Sequence, residues 1–212
     1  MPASSPKKVK KDAAGAKPAS TARTMSRTAP KAAAKAPETR KAAGPAGPAV
    51  GDKAPVFRLP DDAGRMVGLG DFAGRILILY FYPKDDTPGC TQESCDFRDN
   101  LNRLTSSGAA VAGVSADSVE SHRKFKAKHG LNFPLLSDPE RVALEAYGVW
   151  REKSLYGRKF MGIVRSTFVI DGKGVIRAAF PKVSVTGHVD EVLSAVRDLK
   201  GGPKAGSKGA AA

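Results

Sequence analysis

The two cysteines of the chain, Cys90 and Cys95, are five positions apart and are the residues best suited to covalent chemistry. A helix that opens at Thr87 or Pro88 places Cys90 in its first turn, where unpaired backbone N–H groups and the helix dipole favour an anion. We expect this helix to run through Cys95 to about Leu104. A thiol in a first turn tends toward the thiolate, the reactive form. The segment therefore predicts a redox-active thiol.

The cysteine pair could also belong to a metal site or a thioredoxin-type reductase centre, or consist of two inert core residues. Tetrahedral zinc requires several ligands at short paired spacings. The three histidines, His122, His129 and His188, are instead scattered on helices or at a helix start that we expect to be exposed. The C-x-x-C spacing of thioredoxin-type reductases is absent, and the turn before Cys90 disfavours an inert buried role. We expect no metal and no cofactor.

The elements that position the cysteines alternate between strands and helices. The apolar, β-branched and aromatic stretch 75–81 is typical of a strand buried on both faces, and 109–115 is typical of a second one. The other expected elements are an edge strand near 50–57, a hairpin turn at 61–65, a short helical turn at 69–72, helices at 118–129, 139–147 and 187–199, an extended piece at 133–136, and a β-hairpin over 164–180. This order predicts an α/β fold with a mixed central sheet and helices on both faces.

Composition divides the chain into a central domain and two tails. Residues 1–50 hold 11 Lys and Arg against 2 Asp and Glu, and they contain 15 Ala and 7 Pro but no aromatic residue. Such a segment cannot bury a core. The net charge is +14, and the rest of the chain carries only +5 of it. We expect a disordered basic tail over residues 1–48, one domain over 49–200, and a second disordered tail over 201–212.

The basic tail allows three interpretations. A flexible polycation can bind DNA non-specifically by releasing counterions, a solvated tail can serve solubility, and a cleaved transit peptide is a third alternative. No apolar run approaches the roughly 20 residues that span a bilayer, and the N-terminus lacks the apolar core of a secretory signal. We expect no membrane and a cytoplasmic, reducing location, with an association with the nucleoid or nucleus left open.

The chain resembles the peroxiredoxins in their active-site signature, present here as Pro83-x-x-x-Thr87-x-x-Cys90. The longer block 81–93 resembles the bacterioferritin-comigratory-protein (PrxQ) subfamily in particular. The similarity continues in four further segments, Cys95-Asp96-Phe97-Arg98-Asp99, Gly148-Val149-Trp150-x-Glu152-Lys153, Tyr156-Gly157, and residues 162–171. It covers roughly residues 50–200 and leaves the basic tail outside.

This resemblance implies a thioredoxin-like fold and thiol-dependent reduction of hydrogen peroxide and organic hydroperoxides. It makes Cys90 the peroxidatic cysteine and Cys95 the resolving cysteine, which together form an intramolecular disulfide. It also implies thioredoxin or a similar dithiol protein as the reductant, and a monomer. Two alternatives remain. One is a nucleic-acid-associated protein whose tail is the main functional element, and the other is a redox sensor that uses the same cysteines with a partner.

The resemblance adds Pro83, Thr87 and Arg165 to the site, and each role is chemically reasonable. Pro83 shields the thiolate and has no N–H of its own to compete. Thr87 has a hydroxyl that both accepts and donates hydrogen bonds to peroxide oxygens. Arg165 brings a permanent positive charge that stabilises the thiolate and the leaving oxygen, although the sequence alone fits a surface strand residue equally well. Glu93 fits a helix-surface role or a catalytic one.

Overall fold

The computed structural model describes residues 47–155 and 158–201. The rest of the two predicted tails and the Tyr156-Gly157 pair lie outside the described residues. The strands are β1 (Arg58–Pro60), β2 (Met66–Gly68), β3 (Ile76–Phe81), β4 (Ala109–Ser115), β5 (Leu135–Ser137), β6 (Trp150–Leu155), β7 (Arg158–Ile163), β8 (Ser166–Ile170) and β9 (Ile176–Phe180). The helices are α1 (Pro88–Asp99), α2 (Leu101–Ser106), α3 (Val119–His129), α4 (Val142–Ala146) and α5 (His188–Lys200), with a 3-10 turn at Leu69–Phe72.

A five-stranded mixed sheet forms the centre of the domain, in the order β5-β4-β3-β8-β9. Strand β3 pairs in parallel with β4 and antiparallel with β8, so it occupies the middle of the sheet. The hairpin β8–β9 completes one edge, and β5 pairs in parallel with β4 at the other. The predicted thioredoxin-like α/β architecture is confirmed.

The alternating side chains of β3 explain why both faces of the sheet are covered. Leu77, Leu79 and Phe81 belong to one core cluster, which also contains Leu144 of α4. Ile78 and Tyr80, the residues between them, belong to a second cluster on the opposite face. Side chains alternate with a period of two along a strand, and both sets are fully buried here. The second cluster receives α1, α3 and α5 through Phe97, Phe125 and Val192.

Two predicted helices have different bounds in the structure. The helix that carries the cysteines ends at Asp99 instead of continuing to Leu104, because Asn100 leaves helical geometry with ψ near 4°. The Asn100 side chain donates to the Asp96 carbonyl at 2.9 Å, which satisfies an end carbonyl of α1. The helix expected from residue 139 begins only at Val142.

The late start of α4 has a local cause in Asp138. Its buried carboxylate accepts hydrogen bonds from the backbone N–H groups of Val142, Ala143 and Leu144, each at 2.9 Å. These are N–H groups of the first helical turn, which have no partner within the helix. The residues between Asp138 and Val142 therefore form the turn that brings this carboxylate to the helix start.

The hairpin β6–β7 was not predicted from the sequence. Its strands pair antiparallel from Trp150 with Ile163 to Leu155 with Arg158. Its charged residues are consecutive, as in Arg151-Glu152-Lys153 and Arg158-Lys159, instead of alternating with apolar ones. Phe160 and Met161 are exposed, so the sequence has no continuous apolar stripe to signal a strand. The predicted strand 164–170 is accordingly shorter and begins at Ser166. Val164 and Arg165 form the link between β7 and β8.

Helix lengths in the two described ranges reach 13 residues at most. Across residues 47–155 and 158–201, none of the helices has the length and apolar character needed to cross a membrane.

Candidate active site

Cys90 lies in the first turn of α1, as predicted. Thr87 is the N-cap in extended conformation, and Pro88 is the first helical residue, where a missing N–H is tolerated. The thiol is free and only 1% exposed. Because first-turn N–H groups and the helix dipole both favour negative charge, the fold places this thiol where a thiolate is stabilised.

Arg165 contacts Cys90, although the two residues are 75 positions apart in sequence. Its Nη2 donates to Cys90 Sγ at 3.2 Å, and its Nη1 is paired with Glu93 Oε2. Burial opposes the charge of the guanidinium, but the two acidic neighbours raise the pKa of Arg165 above its usual value. One permanent cation therefore serves both a thiol and a carboxylate.

Glu93 is buried, which contradicts the helix-surface alternative. It lies three positions after Cys90 and therefore on the same side of α1. Its side chain is 1% exposed, and Oε1 has no hydrogen-bond partner. Burial raises the pKa of Glu93 to about 7, with Arg165 acting in the opposite direction. The ion pair alone would favour a fully ionised carboxylate. The unpartnered oxygen supports the raised value, because a buried carboxylate needs more than one partner to stay charged.

Pro83 and Thr87 lie in the segment between β3 and α1, and both are half-buried. The Thr87 hydroxyl donates to the Lys84 carbonyl at 3.0 Å. Across the described residues, no hydrogen bond joins the Thr87 side chain to Cys90 or Arg165. The structure thus brings Cys90, Glu93 and Arg165 into direct contact and places Pro83 and Thr87 at the entry to the same helix.

Helix α3 holds the loop before Cys90 in place. The sequence predicted this helix but not its contact with the loop. The carboxylate of buried Asp85 accepts from Tyr82 Oη at 2.8 Å and from Ser121 Oγ at 2.7 Å, and it lies 2.9 Å from His122 Nδ1. The other ring nitrogen of His122 lies 3.2 Å from the Leu136 carbonyl. This network ties the loop to α3 and β5.

A second contact from α3 holds the next residue of the loop. Asp86 has a positive φ of 57°, which is unusual for a residue with a side chain. Its carboxylate is paired with Lys128 Nζ at 2.6 Å and lies 3.0 Å from His129 Nε2. These contacts compensate for the local backbone strain, so consecutive aspartates of the loop are both held by one helix.

The expectation that all three histidines are exposed is wrong. His122 and His188 are almost completely buried, and only His129 is partly accessible. His188 Nε2 lies 2.8 Å from Thr167 Oγ1, so this ring has its own partner in the core. Within the part of the chain that the structure describes, no group of three or more His, Cys, Asp and Glu side chains could hold a metal ion.

Cys95 is helical and half-buried, and its thiol is free. Five residues along an α-helix give a rise of about 7.5 Å and a rotation of roughly 140°, so the Cα atoms of the two cysteines are about 8–9 Å apart. A disulfide needs roughly 4.4–6.8 Å between Cα atoms. The two sulfurs therefore cannot bond while α1 is intact.

Comparison with known proteins identifies the family. The sequence matches the AhpC/TSA family over residues 50–179. It is 48% identical over 150 residues to peroxiredoxin Bcp of Bacillus subtilis, covering 71% of this chain and 96% of that one. It is 44% identical over 148 residues to peroxiredoxin Bcp of Escherichia coli, covering 70% and 95%.

Solved structures agree with the sequence comparison. Peroxiredoxin Q of Xanthomonas campestris is 45% identical with a TM-score of 0.64, covering 66% of this chain and 89% of that one. A second structure from that organism concerns the alkyl peroxide reduction activity of its bacterioferritin comigratory protein, and it is 43% identical with a TM-score of 0.65, covering 68% and 91%. The chain therefore belongs to the AhpC/TSA family and is a peroxiredoxin, a thiol peroxidase of the bacterioferritin-comigratory-protein (PrxQ) group.

Proposed function

We propose that Cys90 is the peroxidatic cysteine and that its substrates are hydrogen peroxide and organic hydroperoxides. The observation that carries this proposal is the 3.2 Å contact from Arg165 Nη2 to Cys90 Sγ. A cationic donor beside a thiol in a first helical turn stabilises the thiolate and the oxyanion that leaves the peroxide. The alkyl peroxide activity of the similar Xanthomonas campestris protein supports the organic substrates.

The attack follows from these positions. The Cys90 thiolate forms a bond to one peroxide oxygen while the O–O bond breaks, and the departing hydroxide or alkoxide takes a proton to become water or alcohol. Cys90 is left as a sulfenic acid. Arg165 faces the charge that moves from sulfur to oxygen. Pro83 and Thr87 are assigned to the wall of the peroxide site, where the hydroxyl lone pairs of Thr87 accept a peroxide hydrogen.

Cys95 is proposed to resolve the sulfenic acid. Its thiol attacks Cys90 sulfur, a disulfide forms and water leaves. Because the two positions are too far apart in intact α1, this helix has to open locally before the bond forms. The disulfide then exchanges with a dithiol protein of the thioredoxin type, which returns both thiols.

Peroxide-dependent oxidation of thioredoxin by wild type, Cys90→Ser and Cys95→Ser tests these assignments. We expect Cys90→Ser to be inactive and Cys95→Ser to consume one equivalent of peroxide per chain, leaving a sulfenic acid that a dimedone-type reagent traps at Cys90. Labelling at Cys95 in the Cys90→Ser protein, with no label at Cys90 in the reciprocal variant, would reverse the two roles.

Residues 1–48 are proposed to tether the enzyme to DNA without sequence specificity. The supporting observation is the charge of residues 1–50, where 11 basic residues face 2 acidic ones. Gel shifts of the full chain and of the chain lacking residues 1–48 across a salt series test this, and the full chain should bind with the steeper salt dependence. If the full chain has no affinity for duplex DNA at low salt, the proposed tether is wrong.

We further propose a cytoplasmic enzyme and, as the resemblance implies, a monomer. The tail would add an association with the nucleoid or nucleus. Cell fractionation and size-exclusion chromatography of the full chain test the location and the monomer separately.

A further inference from the structure

A buried hydrogen bond holds α1 closed between the two cysteines, and its importance rests on the proposed roles of Cys90 and Cys95. Ser94 immediately precedes Cys95 and points into the core while Cys95 is half-accessible. The Ser94 hydroxyl lies 3.0 Å from the hydroxyl of Tyr80, a residue of the central strand β3. Both side chains are fully buried. This hydrogen bond joins the segment that has to open to the middle of the sheet.

The Tyr80 ring cannot follow Ser94 when α1 opens, because its position is fixed from several sides. Outside α1, it stacks on Tyr82 with ring centroids 5.4 Å apart and packs edge-on against Phe133 at 6.0 Å. On the neighbouring strand, Gly113 leaves space for it, since a Cβ there would lie 2.7 Å from the ring. A tightly packed aromatic side chain keeps its rotamer. Opening of the helix therefore separates the two hydroxyls and leaves that of Tyr80 without its partner in an apolar environment.

We propose that Tyr80 and Ser94 form a latch that limits how fast Cys95 reaches oxidised Cys90. The latch divides the Cys90 sulfenic acid between two fates. In one, Cys95 thiol attacks, the sulfur–sulfur bond forms and water leaves. In the other, a second peroxide transfers an oxygen to the sulfenate, which becomes a sulfinic acid while that peroxide is reduced to water or alcohol.

The direction of the effect follows from which state contains the hydrogen bond. Closed α1 has the bond, and the open helix that forms the disulfide does not. Removing either hydroxyl therefore stabilises the open state relative to the closed one. A net hydrogen bond of ordinary strength corresponds to an acceleration of the resolution step by about fivefold to tenfold.

The test uses the full chain with Tyr80→Phe and with Ser94→Ala. Rapid acid quenching and mass spectrometry after one equivalent of peroxide measure the rates of sulfenic acid formation and of disulfide formation. We expect the first rate to stay within twofold of wild type and the second to rise about fivefold to tenfold. The peroxide concentration that produces sulfinic acid during turnover with thioredoxin should rise by the same factor. The double variant should match the single ones, because both remove one hydrogen bond.

Tyr147→Phe is the matched control. Tyr147 is also fully buried, and its hydroxyl donates to the Pro55 carbonyl at 3.0 Å, away from α1. Loss of this bond weakens the domain without touching the latch, so resolution should stay at the wild-type rate. If Tyr80→Phe does not fold, Ser94→Ala carries the test alone. Because alanine favours a helix and so stabilises closed α1, the acceleration in this variant is a lower bound on the contribution of the hydrogen bond.

Three results decide the outcome. An unchanged rate of disulfide formation in folded Tyr80→Phe or Ser94→Ala refutes the latch, and so does an equal acceleration in Tyr147→Phe. If wild type itself forms no disulfide between Cys90 and Cys95, the proposed resolving role is wrong and the latch falls with it. Acceleration confined to the two latch variants supports the inference.

Discussion

Replacement of Glu93 by Gln tests whether one guanidinium is shared between two acids. Arg165 contacts the Cys90 thiol at 3.2 Å with one nitrogen and the Glu93 carboxylate with the other. Burial raises the pKa of Glu93 to about 7, so this carboxyl ionises in the neutral range. An ionised Glu93 then opposes the Cys90 thiolate. Because Glu93→Gln removes this charge, we expect it to favour the Cys90 thiolate once the pH exceeds about 7.

The size of the effect follows from the geometry. Two negative charges that face adjacent nitrogens of one guanidinium are on the order of 6 Å apart, and at an effective dielectric constant of about 20 they repel by about 3 kcal/mol. The Glu93 side chain is 1% exposed, so solvent screening reduces this little. This repulsion acts only where Glu93 is ionised, so it should be present above about pH 7 and absent in acid.

The same substitution changes the pH dependence of stability. The pKa of Glu93 is 4.5 in an unstructured chain and about 7 in the folded one, so its ionised form is disfavoured by folding. Stability associated with the protonated form is present at low pH and is lost as the pH rises through about 7. From about pH 5 to about pH 8, wild type should lose roughly 2–3 kcal/mol of unfolding free energy relative to Glu93→Gln.

Thiolate absorbance in a Cys95→Ser background measures the titration, and urea unfolding at acidic and mildly alkaline pH measures the stability. Glu120→Gln is the control, because Glu120 is exposed and paired only with Lys124 on α3. Identical titrations in Glu93→Gln and wild type, with a pH-independent stability difference, would show that Glu93 does not ionise near neutral pH and would refute the shared-cation argument.

Three further predictions concern Arg165, Asp85 and the opening of α1. Arg165→Ala should slow peroxide attack by about 100- to 1000-fold in stopped-flow assays. Arg165→Lys should recover only part of that rate, since an ammonium cannot contact both acids as a planar guanidinium does. An unchanged attack rate in Arg165→Ala would remove Arg165 from the site. Burial raises the pKa of Asp85, but hydrogen bonds from His122, Ser121 and Tyr82 outweigh it and bring this pKa below its usual value. The stability that comes from the ionised carboxylate is therefore present at neutral pH and lost as the pH falls below about 4. Asp85→Asn should therefore lower the free energy of unfolding by about 3 kcal/mol at neutral pH and by less in acid. Urea unfolding at both pH values measures this, and an equal loss at the two would contradict an ionised Asp85. Oxidation should speed amide hydrogen exchange across residues 88–100; equal protection in both redox forms, with the disulfide confirmed, would contradict helix opening.

The sequence predicted the elements with strong local signals. The stretch 76–81 forms the buried central strand because it is apolar without interruption. Helix α3 begins at the Ser118 cap and ends at Gly130, whose positive φ of 59° suits glycine at a helix end. The proline two positions before Cys90 marks the helix start and so puts this thiol in a first turn. These positions depend on neighbours in sequence, so local patterns were sufficient.

The polar network around the active-site loop could not be found in this way. Asp85 and His122 are 37 positions apart, and their contact exists only because α3 packs beside the loop. A signal was present in α3, since His122 lies three positions before buried Phe125 and therefore on the same helix face. Glu93 follows the same rule relative to Cys90. In both cases helical periodicity predicts burial, whereas residue type led us to expect an exposed His122 and left the position of Glu93 open.

In the proposed mechanism, helix α1 has to stay ordered at its start and to open farther along, and its contacts are distributed accordingly. Peroxide attack needs an ordered first turn, and that turn is held by the pair of Arg165 with Glu93 and by the grip of α3 on the preceding loop. Resolution needs an opening farther along, where Cys95 is half-accessible and Ser94 has a single side-chain hydrogen bond to Tyr80. If α1 opens near Cys95 first, the contacts of its first turn stay in place. In the proposed mechanism, this order would bring Cys95 toward Cys90 while the oxidised sulfur keeps its place beside Arg165, so the proposed disulfide would require movement of only one of the two cysteines.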